Sequence, residues 1–363
     1  MRRRQPGLDL LRALAIVFVV LYHAGLFGFV LPFSVQRFGW IGVDLFFVLS
    51  GYLIGGQLLS TLARGKLLDL SRFYWRRALR ILPAYLVIVA IYFFLPALRE
   101  FPKMPPLWKF VTFTQNLGLR GGTAFSHAWS LCVEGQFYLL LPFLILALSR
   151  LRRGQIFLPL VLLVSGIVVR GLLARANLSV PEPSWGWWQQ WIYYPTYARL
   201  DPLTIGVSLA AVECFRPKWW AALMRHAKWI WLPGLAAIVI ALILAEDGLS
   251  LVSCAFEFPL IAIGFGTFLI CAISPELALS RVAIPGAAFF ATVAYSIYLS
   301  HKLVIHWVEG ACTTRGVPLT SISALFILFA AITLLGTILF FAVERPFLQL
   351  RQRQTGTKTD PTR

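Results

Sequence analysis

Apolar blocks, each long enough or nearly long enough to cross a bilayer, alternate along this chain with short polar or basic stretches. About ten such blocks fall at residues 8–30, 40–62, 83–98, 127–148, 155–173, 199–215, 229–245, 251–273, 286–308 and 320–343. The pattern predicts an all-α, polytopic integral membrane protein with about ten transmembrane helices. A shorter mixed stretch, LWKFVTFTQNLGL at 107–119, predicts a re-entrant or interfacial piece. The MRRR start followed by an apolar run imitates a signal peptide. No small-residue cleavage site follows it, and Arg12 and His23 interrupt the run, which therefore predicts a first transmembrane helix. Residues 1–348 read as one membrane domain, and the polar stretch 349–363 as a disordered tail.

The polar positions inside these blocks carry the chemistry. Arg12 and His23 stand eleven residues apart in the first block. Eleven steps of a helix return two side chains to within about 20° of one face, with a rise of roughly 16 Å between them. Ionisable groups at such depth are costly and are kept for a function more often than by drift. The alternative is that Arg12 snorkels to the headgroups while His23 bonds a neighbouring helix.

Composition removes the soluble classes. The chain is 59% hydrophobic and 13% charged with a mean hydropathy of +0.76. The net charge of +18 suggests nucleic acid until its distribution is examined. With Met1 in the cytoplasm and ten crossings, 22 of the 33 Lys and Arg residues fall on the inner side and seven outside. That bias fits the positive-inside rule with both termini cytoplasmic, so the charge expresses topology and no nucleic-acid partner is expected. Cys132, Cys214, Cys254, Cys271 and Cys312 show neither metal-type nor paired spacing, so disulfides and metal sites are not expected.

Depth along each span can then be estimated. His23, Asp44, Glu134, Asp201 and His301, from five different helices, all fall in the outer third of the bilayer. Each has a plainer reading. Asp44 among Gly39, Gly42 and Gly51 suits tight helix packing with one hydrogen bond; Arg199 and Asp201 suit an interfacial ion pair; His301 suits a structural role. Glu134 is harder to explain away, because a carboxylate that deep needs a partner or a task. On the opposite face runs LSRFYWRRALRILPAY, with Arg72, Arg76, Arg77 and Arg80 interleaved with Phe73, Tyr74 and Trp75. It reads either as an interfacial helix among anionic headgroups or as a phosphate site with aromatic faces for a base. Trp185, Trp187, Trp188, Trp191, Tyr193, Tyr194 and Tyr197 fill the longest outer loop, as a headgroup-level belt or a sugar-stacking platform.

Together these blocks resemble the acyltransferase 3 family of multi-pass membrane O-acyltransferases, over nearly the whole chain. LDLLRALAIVFVVLYH resembles its Arg-x10-His first helix, GVDLFFVLSGYLI its second-helix signature and WRRALRILPAY its basic motif. HAWSLCVEGQFYLLLP, YARLDPLTIG, YSIYLSH and VERPF match later blocks in order. Leu10 and Ala13 stand where the family often has glycine, and Gly135 where an acidic residue is common. No soluble esterase-like domain is expected after the membrane part. The resemblance implies an acyl coenzyme A donor, as substrate rather than tightly bound cofactor, entering from the cytoplasm, with acetyl the expected acyl group. It implies an acceptor hydroxyl on an envelope glycan or lipid-linked sugar beyond a bacterial cytoplasmic membrane. Donor phosphates are then expected at Arg12, Arg76, Arg77 and Arg80, with Tyr74 beside them. His23 becomes the general base or the acyl carrier, with Glu134 or Asp44 orienting it. Trp129, Tyr138, Arg199, Asp201 and His301 are the expected acceptor contacts. The competing class is a secondary transporter, which ten spans and buried Arg, Asp, Glu and His would also suit; against it, no inverted repeat is visible.

Overall fold

The computed structural model describes residues 5–30, 35–149, 154–178 and 184–353, and among these there is no strand. Its long helices are α1 Pro6–Leu26, α2 Gly42–Ala63, α3 Leu70–Phe94, α4 Trp129–Ser149, α5 Gly154–Leu178, α6 Asp201–Phe215, α7 Ala227–Glu246, α8 Leu251–Ile273, α9 Ala287–Thr314 and α10 Ile322–Leu339. A π-turn at Phe340–Glu344 leads into α11, Arg345–Arg353. Among the described residues nine helices are long and apolar enough to cross a membrane; α6 falls short of that test. Its 15 residues rise about 22 Å, less than the roughly 30 Å of a hydrocarbon core. Of the ten expected spans, nine therefore have the length and hydropathy of a crossing among the described residues, and α6 is the short tenth, with none of its residues exposed.

Burial sorts the helices. The spans containing α2, α8 and α9 are about 70% enclosed, whereas α5, α7 and α10 are mostly open to the surroundings. The first three, with α1, form the centre; the others face lipid. α6 is held at this centre by close backbone approach to α2. A Cβ on Gly51 would strike the carbonyl of Leu203, and one on Gly206 that of Val48, so glycine is needed at both positions.

Three local departures from the sequence reading follow from packing. The arginine-rich segment is not a separate interfacial helix: it forms the first turns of α3, capped by Asp69, whose Oδ1 accepts from Arg72 N at 2.9 Å. Pro83 lies inside α3 without ending it, as neighbouring helices allow. The tail begins later than expected, because α11 continues to Arg353; residues 354–363 lie outside the described residues. The mixed stretch at 107–119 is a short helix, Leu107–Val111, followed by turns that bury Gln115 and Asn116. Gln136 Nε2 of α4 donates to Phe113 O at 2.7 Å and to Asn116 Oδ1 at 3.1 Å, which fastens the stretch to the bundle.

Candidate active site

Two helices, α1 and α9, and the turn that precedes α4 bring one histidine each to a single point. His301 Nδ1 donates to its own helix at Tyr298 O, 2.7 Å away, which leaves Nε2 as an acceptor. His23 Nδ1 stands 2.8 Å from Val19 O and 3.2 Å from His301 Nε2, so its proton is shared between them. This pattern fits neutral imidazoles and leaves His23 Nε2 as an unshared lone pair, the requirement for a base or nucleophile. His127, in the turn Ser126–Ala128 just before α4, closes the group; its ring centroid lies 4.7 Å from that of His301 and 6.2 Å from that of His23. Its Nε2 donates to Leu299 O at 3.3 Å, and its buried Nδ1 has no hydrogen-bond partner.

The turn carrying His127 is expensive to build. Phe125 adopts φ +55°, a left-handed conformation costing about 1–3 kcal/mol for such a residue. Stacking on Tyr92, with ring centroids 4.6 Å apart, and a bond from its backbone N to Glu100 Oε1 at 3.0 Å hold it there. Glu100 also accepts from Lys302 Nζ at 3.1 Å, and Lys302 donates to Ser126 Oγ at 3.0 Å. Lys302 follows His301 directly in the chain. One buried ion pair therefore ties the His127 turn to the helix that carries His301.

Below the histidines lies a cavity of about 190 Å³ between α1, α2, α3, α4 and α9. Its lining includes Arg12, Arg77, Arg80, Glu134 and Tyr138, together with Ser130 and Tyr298, the latter bonded to the His127 carbonyl. Glu134 accepts from Ser50 Oγ at 2.9 Å and from Tyr138 OH at 2.8 Å. Arg80 is paired with Glu344, which also accepts from Ser296 Oγ. Arg12 lies 3.6 Å from Asp9 of its own helix. Arg77 forms only a long bond to Gln57 Oε1, 3.4 Å, and its buried Nε has no partner. A second cavity, about 540 Å³, shares Arg77 with the first and is lined by Arg64, Lys66, Arg72, Arg76 and Arg351. Its one acid, Asp69, is engaged in capping α3.

The expected slab of ionisable groups thus divides into separate sites. Neither carboxylate orients His23: Glu134 is engaged by Ser50 and Tyr138, Asp44 by Arg199, and the orienting partners are Val19 O and His301. Tyr138 belongs with the arginine-lined cavity and not with an acceptor site. Arg199 pairs with Asp44 at 2.8 Å rather than with Asp201. Asp201 instead holds Arg170 through two bonds, 2.7 and 3.0 Å. The Arg199 guanidinium is packed against Phe258, 3.7 Å from the ring centroid, and lies 4.7 and 5.2 Å from the ring centroids of Tyr193 and Trp129. Arg199 and Asp44 are 0% exposed, which places them out of reach of an acceptor and makes them scaffold. Trp129, Trp188 and Tyr193 form part of the same packing, so half of the aromatic outer loop folds inward and only residues such as Trp185, Trp191 and Tyr197 remain exposed. Tyr74 donates to Leu139 O at 2.8 Å and lies in a groove between α3 and α4, outside both basic cavities.

Sequence reasoning passed over His127, Lys302, Glu100, Ser130 and Tyr298. The available signal was periodic: His127, Ser130 and Glu134 repeat at helical spacing, as do Ala291, Ala294, Tyr298 and His301.

A family model described as an acyltransferase domain matches residues 5–342. The peptidoglycan O-acetyltransferase OatA of Listeria monocytogenes is 35% identical over 234 residues, covering 59% of this chain and 35% of that protein. The O-acetyltransferase OatA of Staphylococcus aureus is 31% identical over 226 residues, covering 58% of this chain and 35% of its own length. The chain spans about a third of the length of these curated relatives. No solved structure matches it significantly.

Proposed function

Because the chain belongs to the acyltransferase 3 family, we propose that it transfers an acetyl group from acetyl coenzyme A, bound from the cytoplasm, to a glycan hydroxyl on the far side of a bacterial cytoplasmic membrane. The observation that carries this reading is the pair of basic cavities joined at Arg77, the inner of which ends one helical turn short of His301. The outer cavity has the charge for a phosphorylated nucleotide, with Arg64, Lys66, Arg72, Arg76 and Arg351 around it. The inner one is the smaller, about 190 Å³, and is lined by Val43, Phe46 and Leu53 as well as the arginines, which suits an extended pantetheine arm. The roughly 16 Å from Arg12 to His23 is a span such an arm can bridge.

In this reading His23 Nε2 takes the proton of the acceptor hydroxyl, whose oxygen attacks the thioester carbonyl. The carbon–sulfur bond breaks, and the thiolate leaves with the proton that His23 held. In the two-step variant, Nε2 itself attacks the thioester carbonyl, the carbon–sulfur bond breaks, and coenzyme A leaves as the thiol with the proton given up by Nδ1; the acceptor oxygen then attacks the acyl-imidazole, the carbon–nitrogen bond breaks, and the hydroxyl proton returns to the freed imidazole. His301 positions His23 in both. The names of the relatives favour peptidoglycan as the acceptor. Family membership leaves the transporter reading without a supporting observation.

The direct test is release of free thiol from acetyl coenzyme A by the purified protein, with mass spectrometry of envelope glycans in strains with and without the gene. No thiol release under any acceptor condition overturns the reading. Sidedness is tested separately: reporter fusions at Ser184 and Arg363 are expected to score on opposite faces, outside and cytoplasmic. Matching sides would remove the topology on which the donor's entry rests.

Arg77 is expected to be the strongest donor contact, since it faces both cavities and its Nε is unclaimed. Arg77→Ala should raise the KM for acetyl coenzyme A about tenfold or more with a smaller fall in kcat, as loss of a charge-assisted phosphate contact does. Arg80→Ala should act less on donor KM, because Glu344 already holds that side chain. A collapsed kcat with unchanged donor KM in Arg77→Ala would place this arginine outside the donor site.

A further inference from the structure

The inner cavity and the histidine cluster share three helix faces yet do not meet. On α9 the cavity-lining residues Ala291, Ala294, Tyr295 and Tyr298 lie on one stripe, and the next position on it is His301. On α4 the corresponding run passes from Tyr138 and Glu134 to Ser130, with His127 one turn beyond. On α1 it passes from Arg12 to His23. On α4 and α9 the boundary is the same contact: Ser130 Oγ and Tyr298 OH are 2.6 Å apart, and Tyr298 OH donates to the carbonyl of His127, also at 2.6 Å. Ser130 then supplies the proton of the first bond. The Tyr298 ring stands between Phe46 on the cavity side, 6.3 Å between centroids, and the rings of His127 and His301, 5.6 and 5.8 Å away. None of the three histidines lines the cavity.

We propose that Tyr298, latched to Ser130 and to the His127 carbonyl, is the barrier that separates a bound thioester from the histidines and from outer water, and so couples donor cleavage to transfer. The proposal rests on the reading of the inner cavity as the donor site. A thioester beneath Tyr298 is sealed from the histidine side; when the latch opens, its carbonyl comes within reach of His23. An enzyme whose donor and acceptor approach from opposite faces needs such a seal, because a continuous passage would admit water. Water would then attack the thioester carbonyl, the carbon–sulfur bond would break, and acetate and free coenzyme A would form with no acceptor acylated. The hydroxyl is the economical means: two short bonds close the passage, and one ring rotation opens it without moving a helix.

The test is thiol release from acetyl coenzyme A by the full chain in detergent with no acceptor present, measured for wild type, Tyr298→Phe, Tyr298→Ala and Ser130→Ala. Binding of coenzyme A is followed in parallel by its effect on melting temperature. Tyr298→Phe removes both bonds of the latch and keeps the ring, and should raise acceptor-free release about tenfold or more, as the loss of two buried hydrogen bonds implies. Tyr298→Ala removes the ring as well and should raise it further. Tyr298→Phe should still bind coenzyme A, because the arginines of both cavities are untouched. A purely structural tyrosine would lower the melting temperature without increasing release, and that result overturns the barrier. Should Tyr298→Ala fail to fold, Tyr298→Phe decides the matter alone. A wild-type protein that does not bind coenzyme A would overturn the donor reading and, with it, the role given to Tyr298. Variants that bind coenzyme A yet release no more thiol than wild type would overturn the barrier alone.

Discussion

Replacing His23 by glutamine or alanine is expected to cut turnover by at least about 10²-fold, the lower range for removing a positioned general base. The expectation rests on bonding and not on depth alone. Val19 O and His301 Nε2 both draw on the Nδ1 proton, so the ring is fixed with Nε2 as its one open lone pair. Glutamine can restore the bond through its amide nitrogen but offers no basic nitrogen, and this makes His23→Gln the more telling variant. Folding should survive in both, because the ring is only half buried and α1 is packed along its length by Leu8, Leu11, Ile16, Val19 and Val20. Melting temperature and expression near wild type, with turnover lost, is the expected combination. The two possible roles also separate here: an acyl carrier yields a trappable acyl-protein when donor is supplied without acceptor, and a pure base does not. A well-folded His23→Gln protein with nearly full activity would show that the chemistry lies elsewhere.

The span positions were legible because a bilayer demands contiguous apolar runs, whatever the helices later pack against. Block 251–273 coincides with α8 residue for residue, and most others differ by a few positions at their ends. α6 is shorter than its block suggests a span to be, because hydropathy does not reveal that an apolar helix is enclosed by protein rather than by lipid; its start is fixed by Arg199 and Asp201, each committed to a different partner. Depth was legible in the same one-dimensional sense, and that explains both the success and the failure at the site. His23 and His301 were assigned one depth and do touch. Asp44 and Glu134 were assigned it as well, but each turns toward other helices, and rotation about a helix axis cannot be read from hydropathy in a uniformly apolar segment. α2 illustrates the limit: Asp44 meets Arg199 while Ser50, on the same helix, meets Glu134. His127 was hidden for another reason. It precedes the helix, in a turn whose geometry depends on a left-handed Phe125 and on a long-range bond to Glu100. The partner of Arg170 was nevertheless within reach, because a charged group in mid-span needs a counter-charge and Asp201 was available.

The pair of Arg170 and Asp201 is where a single substitution should do most damage to the fold. Both side chains are fully enclosed, at 0% and 1% exposure, and Arg170 uses its remaining donors on the carbonyls of Ala198, Cys254 and Ala255. It therefore joins α5, α6 and α8 and the turn before α6. Asp201→Ala leaves that guanidinium without its bonded counter-charge in a buried interior, and Arg170→Ala does the same to the carboxylate. Removing one partner of such a buried pair costs about 3–5 kcal/mol, so each single variant should lose most of its folded yield and melt far below wild type in detergent. Arg170→Met combined with Asp201→Leu should behave differently. Apolar replacement of both partners leaves no uncompensated charge, and such exchanges are often near neutral. Recovery of the double variant toward wild-type melting, with activity retained, would identify the pair as scaffold. A double variant that folds well but turns over poorly would instead give Arg170 or Asp201 a part in the chemistry. One that remains as unstable as the singles would show that the carbonyl bonds of Arg170, and not the charge pair, hold these helices together.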